Sequence, residues 1–495
     1  MSDIISYLNE KCIKNISENI QKLVDDYYGQ PEDLTGLILG VKTETDRLGR
    51  LIVENILTGL DQALRRSPER RADWSVKETR PRKLVTTLGE IQFQHTLYTN
   101  KHGESSCCLL DELIGLEAEQ RMTDDAEAAI LEEAVQTSYE KAGQAVHHTL
   151  CISRQTVMNK IHELSFPEEA VPEDKSKVDY LYIEADEDHV ALQFQEKKGD
   201  LCRDENGRKS NCAIAKLVYI HEGLEKDAPG SQRRHLVNPH YIGGLYSGEE
   251  NGKLWESVYR YLETHYELSQ VKKIYLSADG GKWIQGAYEK LPGIEMVLDE
   301  FHLSKYLLKM TGFLNDSSWD ARQELVQSIL TDNKEQFENT VKKILALIES
   351  ESGERRIQGC AEYIRSNWKA AQLRLQRKKE IIGCSAEGHV SHLFSSRMSS
   401  RPMGWSRTGV DQMCHLRTYV KNGGNVLELV RYQHAVPERE ELPQASGMEG
   451  LSCAEVLRSE KNRHAQLGRN IEAIAASVSA EVSKQNWYRS WMGGY

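Results

Sequence analysis

At 495 residues the chain is long enough for three or four domains, so one continuous core is not expected. Its ten cysteines include no Cys-x-x-Cys pair, and no stretch approaches the roughly 18 apolar residues needed to span a bilayer. A disulfide-stapled secreted scaffold and a membrane protein are thereby disfavoured, and a soluble cytoplasmic protein with reduced thiols and no membrane partner is expected.

The formal net charge of -12 disfavours a uniformly basic nucleic-acid binder, but the charge is unevenly spread. Residues 353–434 carry fourteen Lys and Arg against six acids, a local +8 that leaves -20 elsewhere. A basic surface is therefore expected around Glu387, which lies inside that stretch.

The first region, 1–120, is read as α+β. It starts with an amphipathic helix carrying Leu8, Cys12, Ile16, Ile20 and Leu23 at helical spacing. Later, LVTTLGEIQFQHTLYTN predicts a strand pair turning at Gly89. A packing domain is the plainer expectation here, contact with DNA ends the sharper one.

Within a helix-turn-helix region at 121–165, residues 124–164 predict helix throughout, apart from a break near Thr149 to Ile152. Ser153 is a natural N-cap for the next helix. Val157, Ile161 and Leu164 are expected to face inward, with Arg154, Gln155 and Asn159 projecting near the amino end. That is the layout of a helix-turn-helix, whose recognition helix reaches base edges, although plain helical hairpins share it. Residues 166–177, with two prolines and several acids, read as an exposed linker.

A new domain is expected at 178–316. Tyr180 to Ala185 form a strand ending at Asp186, and Val190 to Gln195 read as the return strand of a hairpin, with a third strand at Ala213 to His221. The helix LWESVYRYLETHYEL then presents Leu254, Val258, Tyr261, Leu262 and Tyr266 on one face. KKIYLSAD returns to strand, closing at Asp279, and IEMVLD forms another before the helix FHLSKYLLKM. Three antiparallel strands, then helix, strand, helix and strand, give the order of an RNase H-like fold. The helical crossovers make the later strands parallel.

Residues 317–382 read as a helical insertion, with Leu325, Ile329, Phe337, Val341, Ile344, Leu345 and Ile348 as its apolar stripe. The core resumes at 383–435. There the helix bearing Glu387 turns Val390, Leu393, Phe394 and Met398 to one side. The tail from 436 to 495 is loop-like at first, with a closing helix.

Asp186, Asp279 and Glu387 are thus acids that a sheet and a helix can bring together. Carboxylate oxygens suit hard divalent cations, and a pair of Mg2+ or Mn2+ ions suits displacement at phosphorus. Asp188 competes with Asp186 if the strand continues past it, and Glu184, on the same parity, is expected to be a surface or supporting charge. Asp299 and His302 fall near the same edge, where a helix cap and a buried histidine are the plain alternatives to a role beside the site. Arg397, Arg401 and Trp405 are read as phosphate and base contacts in the basic stretch. Cys202, Cys212 and His221 are spaced too irregularly to predict zinc.

The segments IEADEDHVALQ, SADGGKWI, LDEFHLSKYL and GCSAEGHVSHLFSSRMSSRPMGWS carry a resemblance that runs across nearly the whole chain. The sequence resembles transposases of the ISLre-two insertion-sequence family, DDE enzymes related at the core to the Mutator-like group. The resemblance implies Asp186, Asp279 and Glu387 as catalytic and metal-binding residues. It also implies double-stranded DNA, as element ends and as target, for a substrate, and a homo-oligomer on that DNA. Two alternatives stay open: an inactive DNA-binding protein of the same ancestry, and an RNase H-like nuclease that cuts without joining.

Overall fold

A computed structural model of the chain describes residues 13–103, 105–194, 202–203, 209–377 and 381–435. The described residues form two compact units, one comprising 13–127 with Val146–Cys151, the other Ala128–Ala145 with Ile152–Ala435.

In the first unit, helices α1 (Ile13–Gly29) and α2 (Leu34–Arg66) precede the antiparallel strands β1 (Trp74–Thr86) and β2 (Gly89–Asn100). The expected turn is present: Thr86 pairs with Gly89, whose φ of 111° is easily reached only without a Cβ. Alternation along β2 buries Ile91 and Phe93 with Leu64, Trp74 and Leu84. Leu8 and Cys12 of the expected first helix lie outside the described residues.

Residues 124–164 are less continuous than expected. They form α3 (Asp124–Ala134), a single turn α4 (Tyr139–Ala142) and α5 (Arg154–His162). The cap on α5 is as read, because the Ser153 hydroxyl accepts the Thr156 N–H at 3.1 Å. Val157, Ile161 and Leu164 are buried, while Arg154, Gln155 and Asn159 are exposed.

The second unit is built on a mixed five-stranded sheet. Its strands are β3 (Tyr180–Ala191), β4 (Cys212–His221), β5 (His240–Leu245), β6 (Lys273–Ala278) and β7 (Ile294–Leu298), in the spatial order β5-β4-β3-β6-β7. β4 is antiparallel to β3 and β5, whereas β6 runs parallel to both β3 and β7.

One expectation is corrected here. The hairpin read into Tyr180 to Gln195 does not form, because β3 continues to Ala191 and pairs with β4 from Tyr182↔His221 to Ala191↔Cys212. Gln195 lies outside the described residues. The third antiparallel strand is β5, whose two glycines hid it. A Cβ on Gly243 would sit 2.7 Å from the Phe394 ring, so the strand keeps glycine there to admit the segment packed on it.

Odd-numbered residues of β3, namely Leu181, Ile183 and Ala185, join one core with Val218, Ile220, Leu276 and Ala278 under helix α6 (Glu250–His265). Leu254, Val258 and Leu262 supply the buried face of that helix, Tyr266 is buried just past its end, and Tyr261, expected on the same face, is half-buried. The even-numbered residues face the other way.

After β7 come α7 (Glu300–Thr311) and, over the residues expected as an insertion, α8 (Ser318–Leu330), α9 (Lys334–Leu345), α10 (Glu351–Ser366) and α11 (Trp368–Gln376). Leu325, Ile329, Phe337, Val341 and Ile344 are buried in the same core cluster. Glu387 then opens the short helix α12 (Ala386–Val390), which runs into a wide π-helical turn over Ser391–Ser395. Helices α13 (Arg407–Lys421) and α14 (Val426–Ala435) come next. The closing helix expected before Tyr495 lies outside the described residues.

Candidate active site

Strand register sets the geometry. Ala185 pairs with Ala278, and Ala278 with Leu298, across three adjacent parallel strands. The next residues along these strands are Asp186, Asp279 and Asp299. By pleat parity, all three leave the sheet on the face opposite α6.

Burial pushes the Asp186 carboxyl up to about 6, and the nearby charge of Asp279 adds to the rise. The Glu187 N–H, donated to Asp186 Oδ1 at 2.8 Å, and the charge of His302 offset part of it. Asp299 caps α7 by accepting the Phe301 N–H at 3.2 Å, and its other oxygen lies 3.0 Å from His302 Nδ1. That hydrogen bond, with the charges of Asp299, Asp279 and Asp186, holds the His302 pKa above its ordinary value. Cap and site neighbour are therefore the same residue.

The loop after β6 is tightly specified. Asp279 Oδ1 accepts the Gly281 N–H at 2.9 Å, and Gly280 has φ 81°. A Cβ on Gly280 would fall 2.2 Å from Asn367 Oδ1, and the Tyr363 hydroxyl donates to the Asp279 carbonyl. The helical insertion thus braces the loop that presents Asp279. No sequence signal links residues 84 positions apart in this way.

Of the row Glu184, Asp186, Asp188, the outer two are engaged. Asp188 accepts from the Ser399 hydroxyl at 3.0 and 2.9 Å. Glu184, expected as a surface or supporting charge, is only 2 % exposed. It accepts the Ser385 N–H at 2.6 Å and the Tyr219 hydroxyl, and lies 3.1 Å from His221 Nε2. Burial alone raises its pKa, yet these hydrogen bonds outweigh burial and hold it below the usual carboxylate range. Asp186 is left as the acid of that row that faces Asp279.

Glu387 lies on the same side of the sheet. Ser385 reaches Glu184, the Tyr241 hydroxyl is 3.0 Å from His389 Nδ1, and Phe394 packs on Gly243, so α12 and its π turn cover that face. The Glu387 carboxylate is exposed and forms no hydrogen bond or ion pair among the described residues.

Two expected phosphate and base contacts are corrected. Arg397 is 5 % exposed; its Nε donates to the Ala134 carbonyl at 2.9 Å, and its guanidinium sits 4.8 Å from the Trp405 ring centroid and 5.6 Å from that of Tyr139. Trp405 is itself buried, with its indole N–H donated to the Met398 carbonyl. Both belong to the core of the unit, because a planar cation can stack between two rings while its N–H groups find a carbonyl. Arg401 is exposed, as are Arg154, Gln155 and Asn159, with the Gln155 amide donating to Asn159 Oδ1 at 2.9 Å.

Among the described residues, the side chains whose ligand atoms gather in threes within 4.8 Å are Asp46 with His147 and His148, and His95 with Cys108 and Asp111, both in the first unit; Asp186, Asp279 and Glu387 are not drawn together that closely. Asp111 is already paired with Arg82 and His95. His147 has Asp46 on Nε2 at 3.2 Å and Thr149 on Nδ1 at 2.8 Å. Internal partners thus engage Asp111, His95, His147 and Asp46 of these groups.

The model of an uncharacterised protein family, UPF0236, matches residues 32–434. A UPF0236 protein of Caldanaerobacter subterraneus subsp. tengcongensis is 33% identical over 419 residues, which are 84% of each chain. Another from the same genome, 32% identical over 84% of each chain, bears a name joining eleven locus designations. A UPF0236 protein in the vanSb 3′ region of Streptococcus gallolyticus is 24% identical over 74% of this chain and 78% of its own. Among solved structures, the Drosophila P element transposase strand transfer complex aligns with 63% of this chain and 80% of its own at 12% identity and a TM-score of 0.18, too low to bear on fold or function.

Proposed function

The chain belongs to the UPF0236 family, present in many copies in one genome, and from that premise we propose that it is a DDE transposase of an insertion sequence. Many near-equivalent loci are typical of mobile DNA. The carrying observation is the register that sets Asp186, within β3, level with Asp279, directly after the end of the adjacent parallel β6. The strand order β5-β4-β3-β6-β7 supports reading the sheet as RNase H-like.

The donor set fits a hard divalent cation. Asp186 and Asp279 are carboxylates close enough for one to raise the pKa of the other, and Glu387 is an unengaged acid on the same face. Asp186, Asp279 and Glu387 would hold Mg2+ or Mn2+, which would supply Lewis acidity at phosphorus. The protein's own part is to orient: β3 and β6 fix two acids at one level, and the insertion braces the Asp279 loop through Tyr363 and Asn367. His302, whose pKa the hydrogen bond to Asp299 raises, is the basic group beside them. Arg154, Gln155 and Asn159 on α5 are read as contacts to element-end DNA, and Arg401 as a phosphate contact.

The test is cleavage and joining of labelled duplexes carrying the DNA that flanks the gene, in Mg2+ or Mn2+. Wild type is expected to nick and join. Asp186→Ala, Asp279→Ala and Glu387→Ala are each expected to lose roughly 100-fold or more while still binding the duplex. Binding without cleavage by wild type would instead favour a DNA-binding protein that has lost its chemistry.

A further inference from the structure

Glu184 precedes Asp186 by two residues on β3, and Ser385 precedes Glu387 by two residues at the start of α12. The two are joined directly, the Ser385 N–H donating to Glu184 Oε2 at 2.6 Å, with the Ser385 hydroxyl at 3.3 Å from the same oxygen. Tyr219, the cross-strand partner of Glu184 on β4, donates to that oxygen and lies 2.9 Å from the Ser385 hydroxyl. His221 completes the group with Nε2 at 3.1 Å from Glu184 Oε1 and Nδ1 at 3.2 Å from the Gly223 carbonyl. Both ring nitrogens face oxygens, so the imidazole bridges the Glu184 carboxylate and the Gly223 carbonyl.

Burying a charge costs several kcal/mol unless it is paired and fully hydrogen-bonded, so packing alone does not call for Glu184. What a carboxylate offers is enough acceptor sites to gather donors from β4 and α12 onto one point of β3. We propose that Glu184, with Tyr219, His221 and Ser385, is a positioning residue that fixes the helix bearing Glu387 against the strand bearing Asp186. It rests on the reading of Asp186, Asp279 and Glu387 as a metal-binding set.

The same covering segment is pinned again at its far end, where the Ser399 hydroxyl donates to Asp188, two residues beyond Asp186. Asp186 therefore lies between two anchors made with one segment. A Gln at 184 keeps the shape but puts an amide N–H₂ where one carboxylate oxygen accepted, leaving a buried donor facing other donors.

The full-length protein tests this with Glu184→Gln, Tyr219→Phe and, as reference, Asp186→Ala. Two readouts are used: Mn2+ binding by calorimetry, and hydrogen exchange of the amides of residues 385–390 in metal-free buffer. Glu184→Gln is expected to weaken Mn2+ binding about 10- to 100-fold, the range for groups that orient metal ligands, and to speed exchange at 385–390 at a melting temperature near wild type. Tyr219→Phe is expected to shift both in the same direction by less, and it decides the matter by the same two measurements if Glu184→Gln does not fold.

Mn2+ affinity and exchange equal to wild type would overturn the proposal. Equal Mn2+ binding by wild type and Asp186→Ala would instead remove the metal-site reading and the positioning role with it. Weaker binding in Asp186→Ala but not in the Glu184 and Tyr219 variants would overturn the positioning role alone.

Discussion

Asp186 and Asp279 come directly after the register pair Ala185 and Ala278, so two acids leave neighbouring parallel strands at one level, and the charge on the second adds to the cost of ionising the first. Keeping both acids ionised at that spacing costs the fold stability.

That cost has a sign and a pH window. The Asp186 carboxyl is pushed up to about 6 in the folded chain, above the roughly 3.9 of an unfolded aspartate, so its proton stabilises the fold below about pH 4. The contribution is lost as pH rises through about 6. Asp186→Asn removes the ionisation and is expected to melt higher than wild type at pH 7.5 in chelator, with the difference closing below about pH 4. Mg2+ at pH 7.5 should raise the wild-type melting temperature and leave the variant unmoved. A wild type that melts above Asp186→Asn in chelator at pH 7.5 would contradict the assignment of strain to this carboxyl.

Arg397 belongs to the core rather than to a DNA surface, and its variants should behave accordingly. Arg397→Ala strands two aromatic faces and the Ala134 carbonyl, at a cost of about 2 to 4 kcal/mol. Urea unfolding monitored by tryptophan fluorescence measures it. The folded fraction should bind DNA with an unchanged salt slope.

Arg401 is the exposed basic residue of that pair. Arg401→Ala is expected to weaken specific and non-specific duplex by similar factors and to flatten log affinity against log salt by up to about 0.9. Titrations at four or more salt concentrations decide it. An unchanged slope assigns Arg401 to solvent.

The outward face of α5 carries the third expectation for DNA. Replacing Arg154, Gln155 and Asn159 together by Ala should reduce the ratio of element-end to random-duplex affinity at fixed salt by roughly tenfold or more, since a bidentate base contact is worth about 1 to 3 kcal/mol. Melting should change little, because Val157 and Ile161 hold the helix in place. A ratio equal to wild type would return α5 to plain helical packing.

Legibility in the sequence tracks the physics of pattern. Period-two and helical spacing found β2, β6, β7, α6 and the end of β1 from Leu84, and capping preference found Ser153, since in each of these local preference and tertiary burial agree; Trp74 to Lys83 of β1 lie outside that reading. The run Asp186, Glu187, Asp188, His189 reads as a turn because four polar residues break alternation. In the fold β4 supplies an unbroken ladder to it, with Asp186↔Leu217 and Asp188↔Ala215, so the polar run stays in strand. The strand His240–Leu245 is hidden because Gly243 and Gly244 lower strand propensity; their reason is close approach by Phe394, Asp411 and His415. Arg397 misleads because a count of charges along a chain carries no information on which guanidinium finds two rings. Glu184 is visible only as parity with Asp186, and its partner at Ser385 lies 201 residues away.

The π turn at Ser391–Ser395 makes the spacing between Glu387 and Arg397 a ruler. A π turn spends one more residue than an α turn, so everything after it is rotated relative to a straight helix. Because the wide turn absorbs that residue locally, Arg397 and Ser399 keep the phase of an α-helix one residue shorter. From that phase Arg397 reaches the rings of Tyr139 and Trp405, and Ser399 reaches Asp188. Straightening the turn without removing a residue would swing both side chains by roughly 100° off these partners, so the extra residue and the π turn belong together.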